Sequence, residues 1–229
     1  VALLALQGPK AHEVLSEIAP STSEMTFMTA RQLVINGMNC LITRSGYTGE
    51  DGFEISVSAK DAEELAKLLL SNTEVEWVGL GAGDSLRLEA RLSLYGHELD
   101  NDHSPVESSL SWALSKARRT GGLREGNYLG ADVIISHLDE GAESKVVGLQ
   151  PEGRMPVRDG AMIEDELGNN VGKVTSGGFG PSINRPIVIA RLKNSYLEKN
   201  SKLLALVRDK KIAVEIVSLP FVKQNYYRG

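Results

Sequence analysis

Leu33-Val-Ile-Asn-Gly-Met-Asn-Cys-Leu-Ile-Thr-Arg-Ser-Gly-Tyr-Thr-Gly-Glu-Asp-Gly-Phe-Glu-Ile-Ser-Val57 carries three strand signals in succession. Leu33-Val-Ile35 and Cys40-Leu-Ile42 flank Asn36-Gly37, a dipeptide that tolerates the positive φ of a tight hairpin turn. Phe53, Ile55 and Val57 then alternate with Glu54, Ser56 and Ser58, which puts the apolar set on one strand face and Glu54 on the other. Upstream, Val1 to Leu6 reads as a core strand. Gly8-Pro9 reads as a helix start, and Ala11, Val14, Leu15 and Ile18 as one buried helical face. Downstream, Ala62, Leu65, Ala66 and Leu69 form the apolar stripe of a second helix. Strands and helices that interleave around an antiparallel hairpin predict an α+β layer of ferredoxin-like type rather than a purely parallel sheet.

From about Ser144 the pattern changes to short apolar runs, Lys145 to Leu149, Pro186 to Ala190, Leu203 to Val207 and Ile212 to Val217, separated by turn residues. This spacing predicts a small C-terminal β-barrel or sandwich. A helical segment, Tyr128 to Leu138, precedes it, so the expected domains are residues 1–142 and 143–229. Gly177-Gly-Phe-Gly-Pro181 is expected to be a wide turn in the barrel.

The 229 residues carry a net charge of -5. That balance lacks the basic excess expected for nucleic-acid binding or for adhesion to anionic membranes. No apolar run is long enough for a spanning helix, and nothing resembles a secretory signal. The single cysteine, Cys40, lies in an apolar stretch and reads as a buried, inert thiol, compatible with a reducing compartment. Val1 opens directly on a strand without an initiator Met, which reads as the start of a piece of a longer polypeptide.

Gly46 to Glu54 contains three glycines between two strands, a loop that can bring backbone close to a ligand. Its last residue, Glu54, sits at a strand start, where a carboxylate can accept two hydrogen bonds from adjacent N–H donors of a heterocycle. Gly79-Leu-Gly-Ala-Gly83 lacks both the third glycine of the dinucleotide fingerprint and a following Walker lysine. It reads as a helix entry, with Asp84 near the N-cap. His12, His97, His103 and His137 are scattered, so no metal site is expected. No serine sits in a nucleophile elbow.

Read together, Leu4 to Pro9, Arg44 to Glu54, Asp84 to Ala90, Leu94 to His97, Pro105 to Glu107, Val174 to Gly177, Pro220 to Val222 and Tyr226-Tyr227 resemble the glycine-cleavage T-protein family in order and spacing. The resemblance covers essentially the whole chain. It implies ferredoxin-like α+β domains and a C-terminal barrel around a central folate hole. It also implies an aminomethyltransferase, with the lipoylated glycine-cleavage H protein as partner and tetrahydrofolate as co-substrate. Such an enzyme passes the methylene carbon of the aminomethyl-lipoyl group to tetrahydrofolate and releases ammonia. No metal, nucleic acid or membrane is implied. Cytoplasm is the expected compartment, with the mitochondrial matrix as the alternative.

Carried over residue by residue, Glu54 matches the pterin-binding carboxylate, Tyr47 and Trp112 match aromatics lining the folate site, and Tyr226 matches a substrate-contacting tyrosine. Gly83 stands where the family has a substrate-contacting arginine, and Arg91 where it usually has glycine. The family's catalytic aspartate belongs to an N-terminal segment that nothing here matches, so no catalytic residue is assigned and the chain alone is expected to be nearly inactive. The rival readings are a sarcosine- or dimethylglycine-dehydrogenase-type folate domain and a non-catalytic folate-binding protein. The related folate-binding proteins of iron–sulfur and tRNA maintenance carry a cysteine motif where this chain reads Gly46-Tyr-Thr-Gly-Glu50.

Overall fold

A computed structural model describes residues 1–197 and 202–229. They form two compact units, one of Val1–Leu92 with Val222–Gly229, the other of Ser93–Phe221. The α+β layer and the C-terminal barrel predicted from sequence are both present.

In the first unit, strands β1 (Ala2–Gln7), β2 (Ala30–Ile35), β3 (Met38–Thr43) and β4 (Gly52–Val57) form a sheet of order β1-β4-β3-β2, with every pair antiparallel. Asn36 and Gly37 make the β2–β3 turn with φ of 46° and 79°, as the hairpin reading requires. Phe53, Ile55 and Val57 face a core shared with Ile35, Met38, Cys40 and Ile42. Helices α1 (Ala11–Ile18) and α2 (Ala62–Leu70) bring Val14, Leu15, Leu65 and Leu69 to that core. Phe53 is fully buried, and burying a ring of that size contributes about 1.5–3 kcal/mol. Cys40 is 3% exposed, and burial pushes its thiol pKa up. β1 is an edge strand, and only its alternate residues turn to the core, so Leu6 is buried while Leu3 is 60% exposed. The opposite face of the sheet, which carries Glu54, also exposes Val34 and Leu41.

Helix α3 (Leu80–Glu89) bears out the helix entry but begins before the expected N-cap at Asp84. Its N-cap is Gly79, so Asp84 lies one turn inside the helix, where its carboxylate takes Arg87 at 2.7 Å. An i,i+3 pair of this kind adds about 0.2–0.5 kcal/mol to a helix. Gly81 and Gly83 lie within the helix despite their low propensity.

In the second unit, β5 (Ser144–Pro151), β6 (Met162–Glu164), β7 (Asn170–Gly180), β8 (Arg185–Lys193), β9 (Leu203–Val207) and β10 (Lys210–Val217) close a barrel of order β10-β5-β8-β7-β6-β9. Leu149, Val174, Val188, Ala190, Leu192 and Ala205 are among the residues that fill it. Gly177 to Gly180 are strand rather than turn, paired with Val188 to Arg185. A Cβ at Gly177 would collide with the Val157 carbonyl, so glycine here permits a close approach of two backbones. Before the barrel, α4 (Ala131–Asp139) follows Gly130, whose φ is 74°.

Candidate functional site

Glu54 projects from β4 on the face opposite Phe53 and Ile55, half-buried. Its Oε2 accepts a 2.6 Å hydrogen bond from Ser45 Oγ, and Thr43 Oγ1 lies 2.7 Å from Ser45 Oγ. The single Ser45 hydroxyl hydrogen points at the carboxylate, so Thr43 donates to Ser45, a chain that strengthens the terminal bond. Oε1 has no hydrogen-bond donor among the described residues. One oxygen is thus anchored while the other keeps its acceptor capacity.

The loop that leads to Glu54 is held from below and from the side. Gln7, at the end of β1, donates from Nε2 to the carbonyls of Ser45 (3.0 Å) and Phe53 (3.2 Å) and accepts from Thr48 Oγ1 at 3.1 Å. A Cβ at Gly46 would occupy the place of the Gln7 amide. Gly49 has φ of 83°, and its Cβ would meet Ala90 Cβ at 2.5 Å. The loop glycines therefore serve close packing of this loop on its neighbours.

Arg44 is the charged centre of the region. It is 2% exposed, and its fork takes both oxygens of Asp51, at 3.0 and 2.5 Å. Nη1 donates to the Met25 carbonyl at 2.6 Å, and the guanidinium lies 4.3 Å from the Tyr227 ring centre and 5.2 Å from that of Phe53. Tyr227 belongs to the C-terminal tail, which returns to this unit. Its carbonyl accepts from Phe27 N, and Asn225 N donates to Gly49 O. Sequence reading missed this clamp, because an arginine within a polar loop motif carries no periodic signal of burial.

The predicted residues fall as follows. Tyr47 is 42% exposed, with its hydroxyl 3.4 Å from the Leu92 carbonyl. Tyr226 is stacked on Phe27 at 4.0 Å and 11°, and burial pushes its phenol pKa up against the opposing charge of Arg228. Gly83 lies on α3, and a Cβ there meets nothing within 4 Å. Glu54, Tyr47, Tyr226 and Gly83 share the first unit. Trp112 belongs to the second, 77% exposed on a 3-10 turn, Ser111–Ala113, that Arg119 braces through the Ser111 and Leu114 carbonyls.

Arg91 has φ of 60°. Its N–H bonds to Leu88 O and that of Leu92 to Arg87 O, the paired bonds of a Schellman ending with Arg91 in the left-handed position. That geometry accounts for the glycine usual there. Among the described residues no His, Cys, Asp and Glu cluster is arranged to hold a metal, and no helix is long and apolar enough to cross a membrane.

Two family models match. The "GCVT N-terminal domain" covers residues 1–118 and the "Glycine cleavage T-protein C-terminal barrel domain" covers residues 145–223. The mitochondrial aminomethyltransferase of Pisum sativum is 45% identical over 229 residues, and that of Canis lupus familiaris 43% over 228. Each alignment takes in 99% of this chain and 55% of the relative, so the chain spans little more than half the length of these relatives. The crystal structure of glycine cleavage system aminomethyltransferase T from Bartonella henselae superposes with a TM-score of 0.90 at 42% identity, covering 99% of this chain and 61% of that one. On these matches, the chain belongs to the glycine cleavage T-protein family.

Proposed function

We propose that this chain is the folate-holding part of an aminomethyltransferase. The full protein would take the aminomethyl group from the lipoyl arm of the glycine-cleavage H protein and pass its methylene carbon to tetrahydrofolate. Ammonia and the dihydrolipoyl arm would leave as products. The observation that carries the reading is Glu54: a carboxylate on the uncovered face of the sheet, one oxygen fixed by Ser45, the other open to a donor. A reduced pterin presents a ring N–H beside an exocyclic amino group, and two charge-assisted bonds to that edge hold the ring in one orientation. Orientation matters because a transfer between two bound groups gains most of its rate from placement. Tyr47 and Trp112 are proposed to supply flat surfaces for the ligand, and Tyr226 a substrate contact. No metal takes part in this reading.

The 45% identity to an aminomethyltransferase supports the reaction class. The family models, which end at 118 and begin at 145, support taking 1–142 and 143–229 as the domains, whereas the compact units divide the chain after Leu92. The mitochondrial relatives support the mitochondrial matrix as a proposed compartment beside the cytoplasm.

Binding tests the reading directly. Calorimetric titration of the chain with tetrahydrofolate under anaerobic conditions should give saturable binding. Glu54→Gln should weaken it by about 10- to 100-fold, the equivalent of a hydrogen bond to a charged group worth about 1.5–3 kcal/mol. Equal affinity of parent and Glu54→Gln would remove the carboxylate from the site.

A further inference from the structure

We propose that a cavity of about 420 Å³ in the second unit, formed by β7, β8 and the loop of residues 96–103, binds a phosphate group. The proposal is independent of the folate reading and uses none of its residues. Ala190 and Leu192 turn into the barrel core, so Arg191 between them faces outward into this cavity. Its Nη2 donates to the Glu98 carbonyl at 3.0 Å, but Nη1 is buried with no hydrogen-bond partner. A buried donor left unpaired is destabilising and uncommon in native structures.

A second observation points the same way. Lys173 stands directly opposite Arg191 in the β7–β8 register, and like charges in that position repel. Lys193 follows two residues on, on the same strand face, so three cations line one wall of the cavity in a chain of net charge -5.

The neighbouring carboxylates do not answer this need. Asp100 is engaged by His103 Nδ1 at 2.8 Å and by two backbone N–H groups. Asp159 is more than half exposed and faces His97 Nδ1 at 3.6 Å. Glu98 accepts from Thr175 Oγ1 at 2.6 Å and from Leu94 N at 3.0 Å. Burial pushes the Arg191 pKa down against the pull of Glu107, Asp100 and Glu98, so its charge is retained at a cost that a bound anion would offset. A water molecule could meet Nη1 as well, but it would leave the Lys173–Arg191 repulsion in place. A phosphate oxygen meets Nη1, and its charge relieves the Lys173–Arg191 repulsion, while Lys193 already donates to the Asn170 carbonyl at 3.0 Å.

Calorimetric titration of the full chain with inorganic phosphate, at constant ionic strength in chloride, tests this. Saturable one-to-one binding is expected. Arg191→Met should weaken it at least ten-fold and Lys173→Met at least three-fold, while Lys60→Met, an exposed lysine of the first unit, should leave it unchanged. Lys173 is exposed, so its variant decides the matter if Arg191→Met fails to fold. Repeating the titration with phosphoserine separates the sources. Tighter binding than inorganic phosphate supports the site and assigns it to a phosphomonoester, and weaker binding supports it and assigns it to the free ion. Absence of saturable binding by either probe, parental affinity in both cavity variants, or an equal loss in Lys60→Met would overturn the proposal.

Discussion

Replacing Arg44 with methionine should destabilise the first unit more than any other single surface-distant change in its loop. Methionine keeps much of the stem volume but removes the fork from Asp51, whose side chain is 14% exposed. It also removes the donor to Met25 O and the cation over Tyr227. Breaking a buried ion pair by deleting one partner costs about 3–5 kcal/mol, chiefly because the other charge stays buried without compensation. The unit contains roughly 100 residues, for which each kcal/mol moves the melting temperature by about 4–8 °C. A fall of more than about 10 °C in that unit's transition is therefore expected, read by circular dichroism or by hydrogen exchange at β4 amides. Asp51→Asn should cost less, because the amide oxygen still accepts from the guanidinium. Removing both charges as Arg44→Met with Asp51→Leu should recover part of the loss, with a coupling of about 2 kcal/mol in a double-mutant cycle. A loss under 1 kcal/mol for Arg44→Met, or strict additivity in the cycle, would refute the view that this pair holds the loop and the C-terminal tail together.

Three further outcomes follow from single residues. Arg91→Gly should raise stability by about 1 kcal/mol, since glycine takes φ of 60° without the side-chain penalty of the left-handed region; a lowered melting temperature would contradict this. Burial acts to raise the Glu107 pKa, but hydrogen bonds from Ser104 N and Ser144 Oγ, with His103 and His137 nearby, outweigh it and hold the pKa below the ordinary value. Its stabilisation is therefore full above the unfolded value of about 4.3 and is lost as pH falls through the lower folded value. Chemical denaturation from pH 7 to 3 should show parent and Glu107→Gln converging in acid, and a constant difference across that range would count against the assignment. On the proposed folate reading, Gly83→Arg should tighten tetrahydrofolate binding by roughly ten-fold by supplying a charged contact, because a side chain there enters open space; unchanged calorimetric affinity would reject it.

Local periodicity and turn chemistry made part of the fold legible in the chain. Asn36-Gly37 marked the hairpin, the alternation from Phe53 to Val57 put Glu54 opposite the core, and the apolar runs after Ser144 located four of the six barrel strands. These signals survive in one dimension because side-chain direction repeats every two residues in a strand and about every 3.6 in a helix. Pairings between residues far apart in the chain emerged only in three dimensions. Gly177 to Gly180 read as a turn but are strand, because they pair with Val188 to Arg185 on β8, and Gly177 lies against the Val157 backbone. Arg91 was an unexplained departure until its left-handed backbone at the end of α3 gave the reason. Arg44, Asp51 and Tyr227 are ordinary polar residues in sequence, and burial makes them a clamp only once the tail returns to the first unit. Periodicity reports which way a side chain faces along its own element, whereas the energy of a buried charge depends on partners that sequence separation conceals.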